Sequence, residues 1–147
     1  MIGRMLRGGL SGFVATLVMT GVMYAGKWLG FLRTPPPQQI TARAGHKANV
    51  PPEHVPKGAF DAAWLAAHFG YGASCGALFG LIVPLMPRRA SASGLLYGGA
   101  LWAISYLKLM PKLGLYPHPS DDSPSRTAVM VAAHAVYGVT LAKLSGR

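Results

Sequence analysis

One short pattern occurs twice in the chain, first as Ala66-Ala67-His68-Phe69-Gly70-Tyr71-Gly72 and again as Ala132-Ala133-His134-Ala135-Val136-Tyr137-Gly138. Both copies read A-A-H-x-x-Y-G, and each lies early in a long apolar segment. In an α-helix, the residues three and four positions after the histidine lie on the same face as the histidine. Each copy therefore predicts a helix face that carries a histidine–tyrosine pair beside a glycine, where another helix can approach closely.

The composition indicates a membrane protein rather than a soluble domain. Of the 147 residues, 51% are hydrophobic and only 12% are charged, whereas about 25% charged residues is usual in soluble domains. The net charge of +10 would suggest nucleic acid as the partner of a soluble protein, but here the basic residues flank apolar segments. We therefore expect membrane lipids as partners, and no nucleic acid.

Four apolar segments predict an all-α, polytopic membrane protein, a bundle of four transmembrane helices that forms a single domain over residues 1–147. The predicted spans are residues 8–32, 60–83, 92–107 and 127–144. Outer loops rich in proline cover residues 33–59 and 108–126, because proline lacks the backbone donor that a helix needs. Within these loops we expect a short helix over residues 38–48 and an N-cap at Ser125.

The distribution of charge predicts the orientation. The two ends of the chain and the short middle turn carry basic residues without acidic ones, whereas all four acidic residues lie in or next to the long loops. Dense positive charge beside membrane spans favours the cytoplasmic side. We expect a multi-pass protein of the bacterial inner membrane with both termini in the cytoplasm. The residues that carry this signal are Arg4, Arg7, Arg88, Arg89, Lys143 and Arg147.

Small residues recur at every fourth position within the predicted spans. In lipid, such stripes let two helix backbones approach closely. The first span has this spacing at Gly8, Gly12, Thr16 and Thr20. We predict that six further glycines pack helices together, namely Gly72, Gly76, Gly80, Gly94, Gly98 and Gly138. The same faces would suit a homo-oligomer or a larger membrane complex.

The two halves of the chain have the same plan. Each consists of a span, a proline-rich loop and a second span that begins with the A-A-H-x-x-Y-G pattern. Halves with two spans each have the same orientation, as in a parallel duplication of a two-helix unit about an axis along the membrane normal. A chance recurrence of a short pattern explains the sequence equally well.

Five short stretches carry a resemblance to a known group. They are Gly9-Leu10-Ser11-Gly12-Phe13-Val14-Ala15-Thr16, the prolines after the first span, His68-Phe69-Gly70-Tyr71-Gly72, residues 111–119 and His134-Ala135-Val136-Tyr137-Gly138. In these stretches the chain resembles the YagU-like group of small, mostly uncharacterised bacterial inner-membrane proteins. The resemblance implies a four-helix inner-membrane protein and supplies no reaction.

The repeated pattern also suggests a site. We predict that His68, Tyr71, His134 and Tyr137 line a polar pocket between the second and fourth spans, in a binding or accessory module whose ligand is a lipid, a quinone or another small molecule. The alternative is an electron-transfer subunit in which His68 and His134 are the axial ligands of a haem b. A further alternative is an accessory subunit that stabilises a larger complex through its glycine faces. The two histidines would then be a hydrogen-bonded structural pair that needs no ligand. Because paired carboxylates, a nucleophile–base pair and zinc spacing are missing from the sequence, we predict neither an enzyme nor a metal site, and the cofactor stays unknown.

Overall fold

The computed structural model describes residues 1–146, apart from the side chain of Pro119, and within those residues it contains helices and no strand. The four longer helices are α1 (Ile2–Trp28), α3 (Lys57–Ile82), α4 (Ala90–Trp102) and α6 (Pro124–Leu144). The shorter ones are α2 (Pro36–Lys47) and α5 (Met110–Lys112). A π-helix (Ala103–Leu109) joins α4 to α5, and single 3-10 turns cover Pro52–His54, Val83–Leu85 and Pro119–Asp121.

Three helices are long and apolar enough to cross a membrane: α1, α3 with its extension to Leu85, and α6. The all-α prediction is confirmed, and these three helices indicate a membrane protein. The third predicted span, residues 92–107, lies in a helical run that is not one continuous α-helix. There the 13 residues of α4 pass directly into the seven-residue π-helix and then into α5. Taken alone, α4 is shorter than the roughly 20 residues that a membrane-spanning α-helix needs.

The helix ends differ in detail from the predicted limits. The first helix ends at Trp28, because the chain turns at Gly30, whose φ of +81° suits glycine. A helix forms in the first loop as expected, although it begins at Pro36. The prediction of Ser125 as an N-cap is wrong: the backbone N–H of Arg126 donates to Oγ of Ser123 at 3.3 Å. Ser123 is thus the cap that satisfies one of the free N–H groups of α6.

Helices α1 and α3 form an antiparallel pair whose backbones touch. Gly8 lies against Gly76, and Gly12 lies against both Gly76 and Gly72. A Cβ atom added at Gly12 would stand 2.8 Å from Cα of Gly76, which is closer than real Cβ atoms come. The small-residue stripes of the two helices therefore form their interface.

Helices α4 and α6 form a second antiparallel pair of the same kind. Gly94 lies against Gly138, and Gly98 lies against the backbone carbonyl of His134. A Cβ atom added at Gly94 would stand 2.6 Å from the carbonyl oxygen of Gly138. The structure thus places all six glycines that were predicted to pack helices against a neighbouring helix: Gly72, Gly76, Gly80, Gly94, Gly98 and Gly138.

The two pairs are joined by packing of α1 against α6. The core at this junction includes Met19 and Met23 from α1 and Ala133 and Leu141 from α6, all buried. Between α3 and α4 the connection is made by side chains, such as the rings of Phe79 and Tyr97, whose centroids are 5.0 Å apart. The four longer helices therefore form two tight pairs that share one close junction and leave a wider space elsewhere.

The close contact at Gly76 predicts a large effect of a single methyl group. Gly76→Ala should lower the free energy of unfolding by about 1–3 kcal/mol, since the added Cβ separates two backbones that cannot yield. The matched control is Gly70→Ala in the same helix, where a Cβ meets open space and should cost nothing. Thermal unfolding of both variants in detergent measures the difference, and equal stability would contradict the tight interface.

Candidate functional site

A cavity of about 270 Å³ lies between the two helix pairs, toward the ends that carry the long loops. It is bounded by α1, α3, α6 and the π-helix, and α2 covers it from the loop side. Among the residues that the structure describes, none of those lining the cavity is charged. Its volume lies just below the range of about 300–1,000 Å³ that is usual for small-molecule sites. The cavity is thus a small, neutral and half-open pocket.

The structure brings the four residues predicted from the repeated pattern to this one cavity. His68 and Tyr71 reach it from α3, and His134 and Tyr137 reach it from α6. Both copies of the pattern therefore face the same space, although they lie on helices from different pairs. The bonds that each side chain makes decide what the space can bind.

His68 is bonded to α1. Its Nε2 lies 3.1 Å from Oγ1 of Thr20, and that hydroxyl already donates its only proton to the carbonyl oxygen of Thr16 at 2.7 Å. With that proton on the Thr16 carbonyl oxygen, Oγ1 of Thr20 offers only lone pairs, and we assign Nε2 of His68 as the donor. A neutral imidazole with its proton on Nε2 keeps a lone pair on Nδ1. Nδ1 of His68 is therefore a hydrogen-bond acceptor.

His134 is bonded within its own helix. Its Nδ1 lies 2.8 Å from the carbonyl oxygen of Met130, one turn earlier in α6. A carbonyl oxygen can only accept, so Nδ1 carries the proton and Nε2 keeps a lone pair. The two histidines thus have opposite tautomers, and each has one acceptor nitrogen left.

The two tyrosines of the pattern differ in their surroundings. Tyr137 is 3% exposed, and its hydroxyl donates to the carbonyl oxygen of Gly72 at 2.7 Å, which connects α6 to α3. Tyr71 is 46% exposed, and its hydroxyl lies 2.9 Å from Oγ of Ser105 in the π-helix. Tyr71 therefore stands in the gap between α3 and the π-helix, at the edge of the cavity.

A polar cluster holds the wall of the cavity at the loop side. Nε of Arg126 lies 2.9 Å from Oδ1 of Asp122, and Arg126 also donates to the hydroxyl of Tyr116 and to Oε1 of Gln39. Tyr106 donates to Oδ2 of Asp122 at 2.5 Å. Burial raises the pKa of Tyr116, and the neighbouring Arg126 lowers it in part. These bonds hold Tyr106 and Tyr116, both of which line the cavity.

The sequence analysis did not predict the residues of this polar cluster. The spacing of Asp122 and Arg126, four positions apart at the start of a helix, is a signal from which their ion pair could have been found. Tyr116 lies in an irregular loop and gives no periodic signal. Pro36 and Ile40 of α2 also line the cavity. They do so because the first loop folds back over it, which the sequence pattern does not reveal.

A metal site is a separate question. Among residues 1–146, no group of three or more histidine, cysteine, aspartate or glutamate side chains could hold a metal ion. Cys75 lines the cavity, and its backbone carbonyl accepts a hydrogen bond from Tyr97 at 2.6 Å. The chemistry that the cavity offers is therefore hydrogen bonding by neutral groups, together with two imidazole lone pairs.

Comparison with models of known protein families gives a match. The DUF6789 family, described as a family of unknown function, matches residues 2–147 and so covers nearly the whole chain. No curated protein and no solved structure matches the chain. The match does not name the YagU-like group that the short motifs resemble. The coverage is sufficient to conclude that this chain belongs to the DUF6789 family, a family of unknown function.

Proposed function

We propose that the protein is a four-helix module of the bacterial inner membrane that binds a small, neutral ligand in the cavity between its helix pairs. The observation that carries this proposal is that both histidine–tyrosine pairs line one uncharged cavity of about 270 Å³. Polar side chains within membrane spans are costly and are usually functional. The role that we propose is binding, because the side chains that line the cavity offer hydrogen bonds and apolar surface.

Four crossings of the membrane are supported by the helical run from Ala90 to Lys112. Within this run, α4 packs against α6, which is long and apolar enough to cross a membrane. The contact is between Gly94 and Gly138 and is like the glycine contacts between α1 and α3. The outward surface of α1 is apolar, as lipid contact requires, with Leu6 and Leu10 largely exposed.

The contacts also support a parallel duplication. In the first pair Gly12 packs against Gly72, and in the second pair Gly94 packs against Gly138. Gly72 and Gly138 are the final glycines of the two A-A-H-x-x-Y-G copies. At Gly72 the nearest atoms of α1 belong to Thr16, so the same position of the pattern meets small residues of the preceding long helix in both halves, as two copies of one helical unit would.

Haem b is the second candidate, favoured by one observation. Metal-ligating histidines donate one ring N–H to a protein acceptor and keep the other nitrogen for the metal. Both His68 and His134 have this arrangement, with a free lone pair on Nδ1 and on Nε2 respectively. A Soret band in the absorption spectrum of the purified protein would select this candidate.

Filling the cavity should remove its ligand. Ala67 lines the cavity, whereas the equally exposed Ala66 does not, so Ala67→Phe and Ala66→Phe are a matched pair. We expect Ala67→Phe to lower the amount of small molecule that co-purifies in mild detergent by about tenfold, equivalent to about 1.4 kcal/mol of binding free energy. Mass spectrometry of the extracts measures this amount. Equal recovery from both variants and the wild type would contradict binding in the cavity.

The proposed orientation has a direct test in intact cells. In a Cys75→Ala background, which removes the only cysteine, a cysteine introduced by Ser91→Cys lies in the exposed first turn of α4, next to the middle turn that we assign to the cytoplasm. It should resist a membrane-impermeant thiol reagent until the cells are lysed. The control His54→Cys lies in the exposed first loop and should react at once. The reverse pattern would show the opposite orientation.

A further inference from the structure

Building on the proposed cavity-binding function, we infer that the ligand carries hydroxyl groups that it donates to Nδ1 of His68 and Nε2 of His134. Its chemical class is a neutral amphiphile with a hydroxyl-bearing head. A hydroquinone and an isoprenoid alcohol are the two membrane sources of this chemistry. Quinones and ethers, which only accept hydrogen bonds, do not match the site.

The inference starts from the partners of the two imidazoles. Oγ1 of Thr20 and the carbonyl oxygen of Met130 each take an N–H from a histidine, because neither has a proton to give in that bond. In the neutral imidazoles, the remaining nitrogens therefore both accept. The two copies of the sequence pattern thus contribute two acceptors to one cavity.

Among the described residues, none bonds to Nδ1 of His68 or to Nε2 of His134, and an acceptor without a donor is costly in an apolar environment. The hydroxyls of Tyr137 and Thr16 donate to backbone carbonyls, and Tyr71 and Ser105 share one hydrogen bond, so that none of the four bonds to a histidine nitrogen. Among the described lining residues there is no lysine or arginine to serve as a donor. Both nitrogens are therefore open to donors on a molecule that enters the cavity.

The remaining walls limit what that molecule can be. Met19, Met23, Leu101 and Met130 provide apolar surface, and Trp64 adds an aromatic ring. A charged head would be buried there without an opposite charge, at a high cost in free energy. An uncharged ring or isoprenoid chain that carries hydroxyl groups satisfies both the walls and the histidines.

Four probes separate donor chemistry from shape. A decyl-substituted hydroquinone, the corresponding quinone and the hydroquinone dimethyl ether share a ring and a tail, and only the first can donate; geranylgeraniol represents the aliphatic source. Binding is measured by titration calorimetry, without oxygen, on the purified full chain in detergent. We expect the hydroquinone or geranylgeraniol to bind at least about tenfold more tightly than the quinone and the ether, because each of these leaves the acceptors unpaired. The tighter of the two donors identifies the source.

The histidines are tested with the same probes. His68→Leu and His134→Leu should each reduce the affinity for the preferred donor toward that of the ether, while the affinity for the ether itself stays unchanged. If the quinone and the ether bind the wild type as tightly as the donors, the inference is overturned and the cavity-binding function stands. If none of the four probes binds, the cavity-binding function is overturned as well. Comparing the affinities of the four probes for the wild type tests the inference even if a histidine variant fails to fold.

Discussion

The close approach of helix backbones at glycine is the interaction on which the rest of this structure depends. In lipid there is no hydrophobic force between helices, so association relies on packing at short distance. Gly12 against Gly76 and Gly94 against Gly138 provide that packing in the two antiparallel pairs. Because both pairs are held this tightly while only α1 and α6 connect them closely, space remains between the pairs, and the cavity occupies it.

Polar groups in this interior follow a second constraint, which is that each needs a partner where water is scarce. Tyrosine hydroxyls bridge the wider space between the pairs: Tyr97 donates to the carbonyl oxygen of Cys75, and Tyr137 donates to that of Gly72. The histidines are only half satisfied by the protein, since one nitrogen of each has a bond. This difference between the tyrosines and the histidines is why we assign the ligand contacts to the histidines.

Much of the fold could be predicted from periodicity. Spacing of small residues at every fourth position identified the glycine faces, and the A-A-H-x-x-Y-G pattern identified four residues that line one cavity. Periodicity reveals which residues share a face, but it does not reveal which helix covers that face. For this reason the different surroundings of Tyr71 and Tyr137 could not be predicted from identical patterns, nor could the π-helix after α4 or the placement of Tyr116 by Arg126.

We infer that the two histidines have opposite tautomers and that each presents an acceptor nitrogen to a ligand. Nitrogen-15 NMR of histidine-labelled protein measures it directly, because protonated and unprotonated ring nitrogens differ in chemical shift. Spectra of His68→Asn and His134→Asn assign the signals. We expect a proton on Nε2 of His68 and on Nδ1 of His134, with lone-pair signals from the other nitrogens that move when a hydroxyl-bearing ligand is added. The same tautomer at both histidines, or lone-pair signals that do not respond to the ligand, would contradict it.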